Sequence, residues 1–558
     1  MAEKVWYKFY PPGVPRNVDY EKVTISQALT RVAKKYPNRP ALDYMGKSFT
    51  YRQFDEMVNQ FARALTALGV KKGDNVAVCL PNIPQVVIAD LAIFRIGAVI
   101  AQNNPLYTER ELEYQLNDSG AKLIITMSLL VPRMLGLMPK TKIKKIIACH
   151  IHSYLPFPVK QLFPYVKKAM HRKIEETDTV LEFSSLIKKY SKDPVTDKSV
   201  WENLATIIYT GGTTGVSKGV MLSHKNLSSN VQQVRVWFPY LEFGKDSMVA
   251  TYPLFHSAGN FISCFIIWMA WEQILIPRPE PKGLIDILKR TKPQWLPGVP
   301  TIFVGLLNEP GFRKMDLRFI KGFFSAAAPL APETLRDLKD LTGATMSEIY
   351  GMTEVSPAAT MTPSSGTIKV GTVGIPLPDT DIKVVDPDTG KKELKPGETG
   401  EIIIKGPQLM MGYYNKPQQT KEAVRDGWFY SGDLGFFDED GYLSVVDRKK
   451  DMVIAGGYNI YPVEIDNLLY EHPKILEACA AGIPDKYRGE TIKAFIVVKP
   501  GETLTADEVI AYCKKNLAAY KVPKSVEFMD ELPKSVIGKV LRRKLREMEM
   551  ERAKAAGK

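Results

Sequence analysis

The sequence predicts an α/β protein built in two parts. The first is a large N-terminal domain of layered α/β sheets that carries a small β-rich subdomain. The second is a small α+β C-terminal domain. Three observations carry that prediction. A chain of 558 residues is too long for one ordinary core. Up to about residue 126 the pattern alternates between helix and strand, which argues for mostly parallel sheets covered by helices. After residue 447 the pattern resets into a separate unit of about 110 residues.

The elements follow in order. In "YRQFDEMVNQFARALTALGV", Phe54, Met57, Phe61, Leu65 and Leu68 recur at three- and four-residue spacing, an amphipathic helix. "NVAVCL" is a short buried strand, "PQVVIADLAIFRIGAVIA" a helix running to a glycine, and "AKLIIT" a strand again. In residues 150–200, Phe157, Leu162, Phe163 and Tyr165 interleave with Lys160, Lys167, Lys168, Arg172 and Lys173. A membrane-surface segment has this composition, and so does an ordinary surface excursion. Pro156, Pro158 and Pro164 are expected to break any long helix there. "FISCFIIWMAW", residues 261–271, falls short of the about 20 apolar residues that span a bilayer and reads as a buried helix. Short strands such as "DIKVVD" and "GEIIIKG" between 365 and 447 form the β-rich subdomain. Beyond it come a helix from Val463, a strand near "AFIVVKP", a helix from Ala506 and a basic tail.

Composition narrows the function classes. Hydrophobic residues at 45% and charged residues at 24% describe a globular chain, neither disordered nor membrane-spanning. The net charge of +14 permits attraction to phosphates or anionic lipid. No RNA-binding signature or C-x-x-C pair supports nucleic acid as a partner. Five scattered cysteines make neither a disulfide framework nor a zinc spacing. Reduced thiols and the absence of a secretory signal pattern place the expectation in the cytoplasm, with peripheral contact on the inner face of a membrane left open.

The sharpest local signal is "TGGTTGVSKG", residues 210–219, after the β-like run "ATIIYT". A Walker A loop needs lysine directly after its second glycine and a helix behind it; here Gly215 precedes Lys218 by three residues and "GVMLSH" reads as strand. The dinucleotide fingerprint fails too. The content still suits phosphate, because glycines let backbone N–H groups converge on oxygens while Thr213, Thr214, Ser217 and Lys218 add donors and charge.

With this loop stand "YGMTE" at 350–354, "GWFYSGDLGFFDEDGYLSVVDRKKDMVIAGGYNIYPVEID" and "PKSVIGKVLRRKL". In that order, and over residues 40–545, the chain resembles the AMP-forming acyl-CoA synthetases of the adenylate-forming superfamily. The resemblance implies a first step in which a carboxylate attacks the α-phosphate of ATP and pyrophosphate leaves. In a second step the thiol of coenzyme A attacks the acyl carbon and AMP leaves.

It also implies roles. Thr210, Gly211, Gly212, Thr213, Thr214, Gly215, Ser217 and Lys218 would hold the phosphates. Glu354, with Thr213, would hold Mg2+, a hard cation suited to oxygen ligands. Tyr350 would stack on adenine, with Gly351 and Ala327 of "SAAAPL" nearby. Thr353 would donate to the α-phosphate. Asp433 would accept from the ribose hydroxyls, and Arg448 and Lys450 would lie close by. Lys539 would be the catalytic lysine, delivered by a C-terminal domain, residues 447–558, that turns on a hinge at Asp447 against an N-terminal domain, residues 1–446. Gly456 and Gly457 would line the path of the pantetheine arm. His256, Ile349 and Gly351 would face the acyl pocket, His256 as a positioning residue rather than a base.

The acid is less sharply defined. "WYKFYPPGVP" and the basic excursion resemble bacterial-type long-chain fatty acid ligases, and "FISCFIIWMAW" would line a greasy pocket. Ile349 stands where many long-chain members have glycine, so medium-chain, branched and aryl acids stay open. So do loading of a separate carrier protein and homo-oligomerisation. A luciferase-like oxygenase has nothing in its favour. A non-enzymatic fatty-acid-binding protein would not need Lys539, Glu354 and Asp433.

Overall fold

In the computed structural model the chain is described from residue 4 to 555, apart from 211–216, 327–329, 331, 450, 456–457, 486–488, 520 and 536–537. Two large sheets organise the N-terminal part. The first has eight strands, in the order Gly412–Tyr413, Lys218–Ser223, Leu204–Thr210, Val99–Gln102, Asn75–Cys79, Leu123–Met127, Lys145–Cys149 and Val180–Glu182. Its interior pairs are parallel, and only the Lys218–Ser223 and Gly412–Tyr413 pairings are antiparallel. Leu123–Met127 is buried along its whole length, which is why it reads as an unbroken apolar run.

The second sheet has nine strands. Pro40–Tyr44, Glu272–Leu275, Ser247–Ala250, Trp295–Gly298, Gly322–Ala326 and Thr345–Gly351 run parallel, and antiparallel strands flank both edges. The expected α/β layering is therefore what the chain adopts.

Local sequence accounts for the covering helices. Tyr51–Ala67 starts at a capping box, in which Thr50 accepts from the Gln53 N–H and Gln53 accepts from the Thr50 N–H. Pro84–Arg95 is buried on every side. It stops earlier than its apolar run suggests, because Gly97 takes φ +73° and turns the chain so that Val99–Gln102 becomes a strand. Ser257–Trp268 is the buried helix expected from "FISCFIIWMAW". Pro164 lies inside the helix Val159–Val166 rather than ending it, and that helix is only eight residues long.

A five-stranded antiparallel sheet, Asp381–Val385 to Leu443–Arg448, forms the β-rich subdomain. The N-terminal aromatic segment straps it down. Trp6 stacks on Phe437 at 5.5 Å, and Tyr10 meets Trp237 edge-on at 5.1 Å. The C-terminal residues carry their own core around Ile465, Ile475, Ile492, Ile496 and Val509. Two features there escape the sequence pattern. A long strand, Ile475–Asp485, precedes the expected one, and the basic tail is the helix Arg542–Ala555. Among the described residues no helix is long and apolar enough to cross a membrane.

Arg95 ties the N-terminal helices together. Its side chain is 1% exposed, pairs with Asp55 at 2.8 Å and donates to Asn59 at 2.7 Å and to Thr30 at 3.1 Å. Arg95→Ala leaves the Asp55 carboxylate without its partner and is expected to cost about 3–5 kcal/mol. A fall in the urea midpoint of unfolding, followed by tryptophan fluorescence, measures it.

Candidate active site

The glycine loop lies in the chain between two strands, Leu204–Thr210 and Lys218–Ser223, that pair antiparallel. Thr210 pairs with Lys218 across its base, and the Thr210 hydroxyl donates to the Lys218 carbonyl at 3.5 Å. Ser217 accepts from the Gln115 amide at 3.4 Å. Gly211, Gly212, Thr213, Thr214 and Gly215 lie outside the described residues, as do Ala327, Lys450, Gly456 and Gly457. The end strand Gly412–Tyr413 pairs with the returning arm and sets Tyr413 beside it. The Lys218 ammonium lies 4.8 Å from the centre of the Tyr413 ring, and the Tyr413 hydroxyl donates to Glu354 at 3.0 Å. Tyr413 therefore joins the loop's cation to the carboxylate of "YGMTE". Burial holds the Glu354 carboxyl above the ordinary carboxylate range, and the Tyr413 donor acts against that rise.

A second cluster forms on Asp433, which is buried on the strand Trp428–Phe437. The Tyr350 hydroxyl donates to one carboxylate oxygen at 2.9 Å, and Arg448 meets the other at 2.9 Å. The antiparallel register places Arg448 directly across from Asp433. Each carboxylate oxygen keeps a further lone pair for a ligand hydroxyl. Thr353 is buried and donates to Ser257 at 3.0 Å, at the first turn of the helix Ser257–Trp268.

Lys539 comes to this cluster from the C-terminal part. Enclosure by protein lowers its ammonium from the ordinary lysine value; the Arg448 charge adds to that, and Asp433 opposes it. Lys539 is an exposed residue. Gly538 makes the approach workable. It sits at φ +75°, and a Cβ there would come 2.9 Å from the Thr301 hydroxyl.

Asp447 is 3% exposed and spans the junction. One oxygen accepts from the Arg448 N–H at 2.7 Å, the other from the Val463 N–H at 3.0 Å, and Arg542 approaches the first at 3.3 Å. Arg542 also pairs with Asp466. The basic tail thus supplies the cation that holds the junction carboxylates, a part the sequence gave no reason to assign to it.

An apolar pocket opens between the helices His224–Trp237 and Ser257–Trp268 and the second sheet, lined by Val234, Tyr252, Phe261, Phe265, Phe324 and Ile349 among others. Gly351 does not line it. A Cβ at Gly351 would stand 1.8 Å from the Pro357 carbonyl oxygen, so that glycine answers to backbone packing. His256 also lies off the pocket wall, as the N-cap of Ser257–Trp268, where its Nδ1 accepts from the Ala258 N–H at 3.3 Å. Burial pushes it down to about 4, so the ring is neutral.

Three residues of this architecture were missed in the sequence: Tyr413, Ser257 and Arg542. "SAGN" after His256 is a helix-start pattern that could have drawn attention to Ser257; Tyr413 and Arg542 sit in no pattern of their own.

The chain is similar to known proteins over nearly its whole length. The AMP-binding enzyme family matches residues 29–414, and the AMP-binding enzyme C-terminal domain matches residues 464–539. A long-chain-fatty-acid–CoA ligase of Bacillus subtilis is 40% identical over 555 residues, 99% of each chain. The crystal structure of ATP-bound MatB from Rhodopseudomonas palustris superposes with a TM-score of 0.82 at 30% identity, covering 94% of this chain and 98% of that one. The anthranilate CoA ligase AuaEII in complex with anthranoyl-AMP gives 0.85 at 26% identity, covering 96% and 98%.

Tyr413→Phe keeps the ring under Lys218 and removes the donor to Glu354. Donation favours the ionised carboxyl, so its loss raises the Glu354 pKa further and leaves less carboxylate at a given pH. The acidic limb of the ATP–pyrophosphate exchange profile is expected to move toward higher pH, with the basic limb in place.

Proposed function

The chain belongs to the AMP-binding enzyme family, and on that premise we propose that it is an AMP-forming acid–thiol ligase that joins long-chain fatty acids to coenzyme A. The single observation that carries the reading is the arrival of Lys539, from the C-terminal part, at the Asp433–Arg448–Tyr350 cluster. A binding protein has no use for a mobile cation aimed at a nucleotide site.

The chemistry follows from charge. A fatty carboxylate and a triphosphate repel each other, so their approach needs fixed cations and donors. Lys218 and the loop from Thr210 receive the β- and γ-phosphates. Tyr350 lies against adenine, and Asp433 accepts from the ribose. A carboxylate oxygen attacks the α-phosphorus, and the bond to pyrophosphate breaks. Lys539 bridges the two reactants as negative charge gathers between them, and Thr353 donates to the α-phosphate. Glu354 offers a hard oxygen donor where the phosphates end, which fits Mg2+, with Thr213 as its partner; the ion would neutralise triphosphate charge. The thiol of coenzyme A then attacks the acyl carbon, its proton passes to solvent, and AMP departs with the C–O electron pair.

Thiol attack needs Lys539 out of the way. We place the pivot at Asp447, with residues 1–446 on one side and 447–558 on the other, and Gly456 and Gly457 along the pantetheine path. The alternative of loading a carrier protein shares the first step only.

Lys539→Ala is expected to lower acyl-AMP formation by about 10²–10³-fold or more, while thioester formation from supplied acyl-AMP persists. Unchanged ATP–pyrophosphate exchange in that variant would refute the assignment. AMP release with coenzyme A, measured from acetate to stearate with benzoate and cinnamate alongside, is expected to peak between laurate and stearate. A peak on shorter or aryl acids overturns the substrate class and makes Ile349 the residue to change, and AMP without thioester points to a carrier.

One observation supports peripheral contact with an anionic bilayer. On the excursion, Phe157 is 82%, Tyr165 75% and Val166 71% exposed. Lys160, Lys167, Lys168, Arg172 and Lys173 are exposed around them. Each such cation near anionic lipid contributes about 1 kcal/mol. Sedimentation with phosphatidylglycerol vesicles is expected to capture the protein at low salt, and F157S/Y165S/V166S is expected to release it. Equal capture of that variant refutes the contact.

A further inference from the structure

The chain has six histidines, and three of them, His150, His152 and His171, meet at one place. His150 and His152 directly follow the strand Lys145–Cys149. The chain then leaves through the helix Val159–Val166 and returns, and His171 follows the turn Lys168–Met170. Ring centroids lie 4.9 Å apart for His150–His152, 5.1 Å for His150–His171 and 5.0 Å for His152–His171. One nitrogen from each ring lies within 4.8 Å of the other two.

The decisive point is satisfaction. The Nδ1 atoms of all three rings are buried, and none has a hydrogen-bond partner. A single unpaired buried nitrogen is a cost a protein can absorb; three on one cluster of rings call for a common partner. Aromatic packing explains part of the cluster, since His152 stacks on Phe163 at 5.3 Å. It does not explain three unpaired nitrogens in one spot. The Lys160 charge acts on His152 and opposes a cation there.

We propose that His150, His152 and His171 bind a divalent transition ion of the zinc type and so fasten the return of the excursion to the end of the strand Lys145–Cys149. Among the described residues no carboxylate or thiol joins the three. An all-imidazole set suits Zn2+, Co2+, Ni2+ or Cu2+ and not Mg2+ or Ca2+. Tetrahedral zinc, with bonds of about 2.0–2.1 Å, asks for nitrogens about 3.3 Å apart, so the rings close inward on binding. A fourth position is left for water or an added ligand. None of these residues belongs to the nucleotide site, so the proposal stands apart from the ligase reading.

The test uses the full tag-free chain, stripped with chelator and titrated with ZnCl2 by calorimetry and with CoCl2 by visible absorption. One ion per chain and the absorption bands of four-coordinate cobalt are expected. His152→Ala and His171→Ala should each weaken Zn2+ binding by about 100-fold or more, since even an outer partner of a ligand is worth about 10–100-fold. Zn2+ should also slow trypsin cleavage after Lys167, Lys168, Arg172 and Lys173 in the parent chain and not in the variants. Acyl-CoA formation with Mg2+ should stay unchanged in the variants and so reports their folding. If His152→Ala fails to fold, the half-buried His171, changed to Gln, decides alone. No binding by the parent chain, or equal binding by H150A/H152A/H171A, overturns the proposal.

Discussion

A single carboxylate, Asp433, is where three parts of the chain meet. It sits on a strand of the β-rich subdomain, receives a hydroxyl from Tyr350 at the end of the second large sheet, and pairs with Arg448 on the last strand before the C-terminal part. Its charge also acts on Lys539, from near the end of the chain. One buried negative charge thus gathers Tyr350 and Arg448 and acts on the Lys539 cation. Burying that charge is affordable because both of its oxygens have partners.

A second set of charges holds the junction with the C-terminal part. Asp447, Asp466 and Asp451 surround Arg542, with Asp447 and Asp466 buried. Desolvation works against the guanidinium and against the carboxylates alike; their mutual attraction and the backbone N–H donors to Asp447 and Asp466 offset it. Such a cluster is stable in one arrangement and costly when partly opened, which favours discrete positions of the C-terminal part over a continuum. Arg542 follows Lys539 by three residues, so the lysine that acts on the Asp433 cluster and the guanidinium that holds the junction come from one short stretch.

Much of this was legible in the sequence, and the reasons differ from part to part. Alternating apolar runs gave the parallel sheets, because strands covered on both faces have no polar side to show. The spacing of Gly215 and Lys218 told a hairpin from a Walker loop, and the pairing of Thr210 with Lys218 is its structural counterpart. Tyr413 was not legible, because it reaches Glu354 only through a two-residue strand added to the edge of a sheet formed far upstream. Arg542 was hidden by company: among Lys534, Arg543 and Lys544 a solvated role is the natural reading, and only the fold sets it apart. The histidine cluster has no local spacing either, since a helix and two turns separate His171 from its partners.

The pocket and the polar site divide the work of recognition in a way that suits a fatty acid. Its walls are apolar side chains, with the Tyr252 hydroxyl turned away to the Gly298 carbonyl. Tail burial therefore adds affinity in proportion to length and says little about chemistry. At the start of the helix Ser257–Trp268, His256 caps the backbone and Ser257 accepts from Thr353. A neutral His256 holds that helix end without adding a charge that would compete with Lys539 for the carboxylate. The helix Ser257–Trp268, which lines the pocket, and Thr353 are thus coupled through one hydroxyl pair, so a displacement of the helix start also displaces Thr353. Chain length can in this way act on the rate of adenylation as well as on binding, through a contact that no apolar residue of the pocket makes.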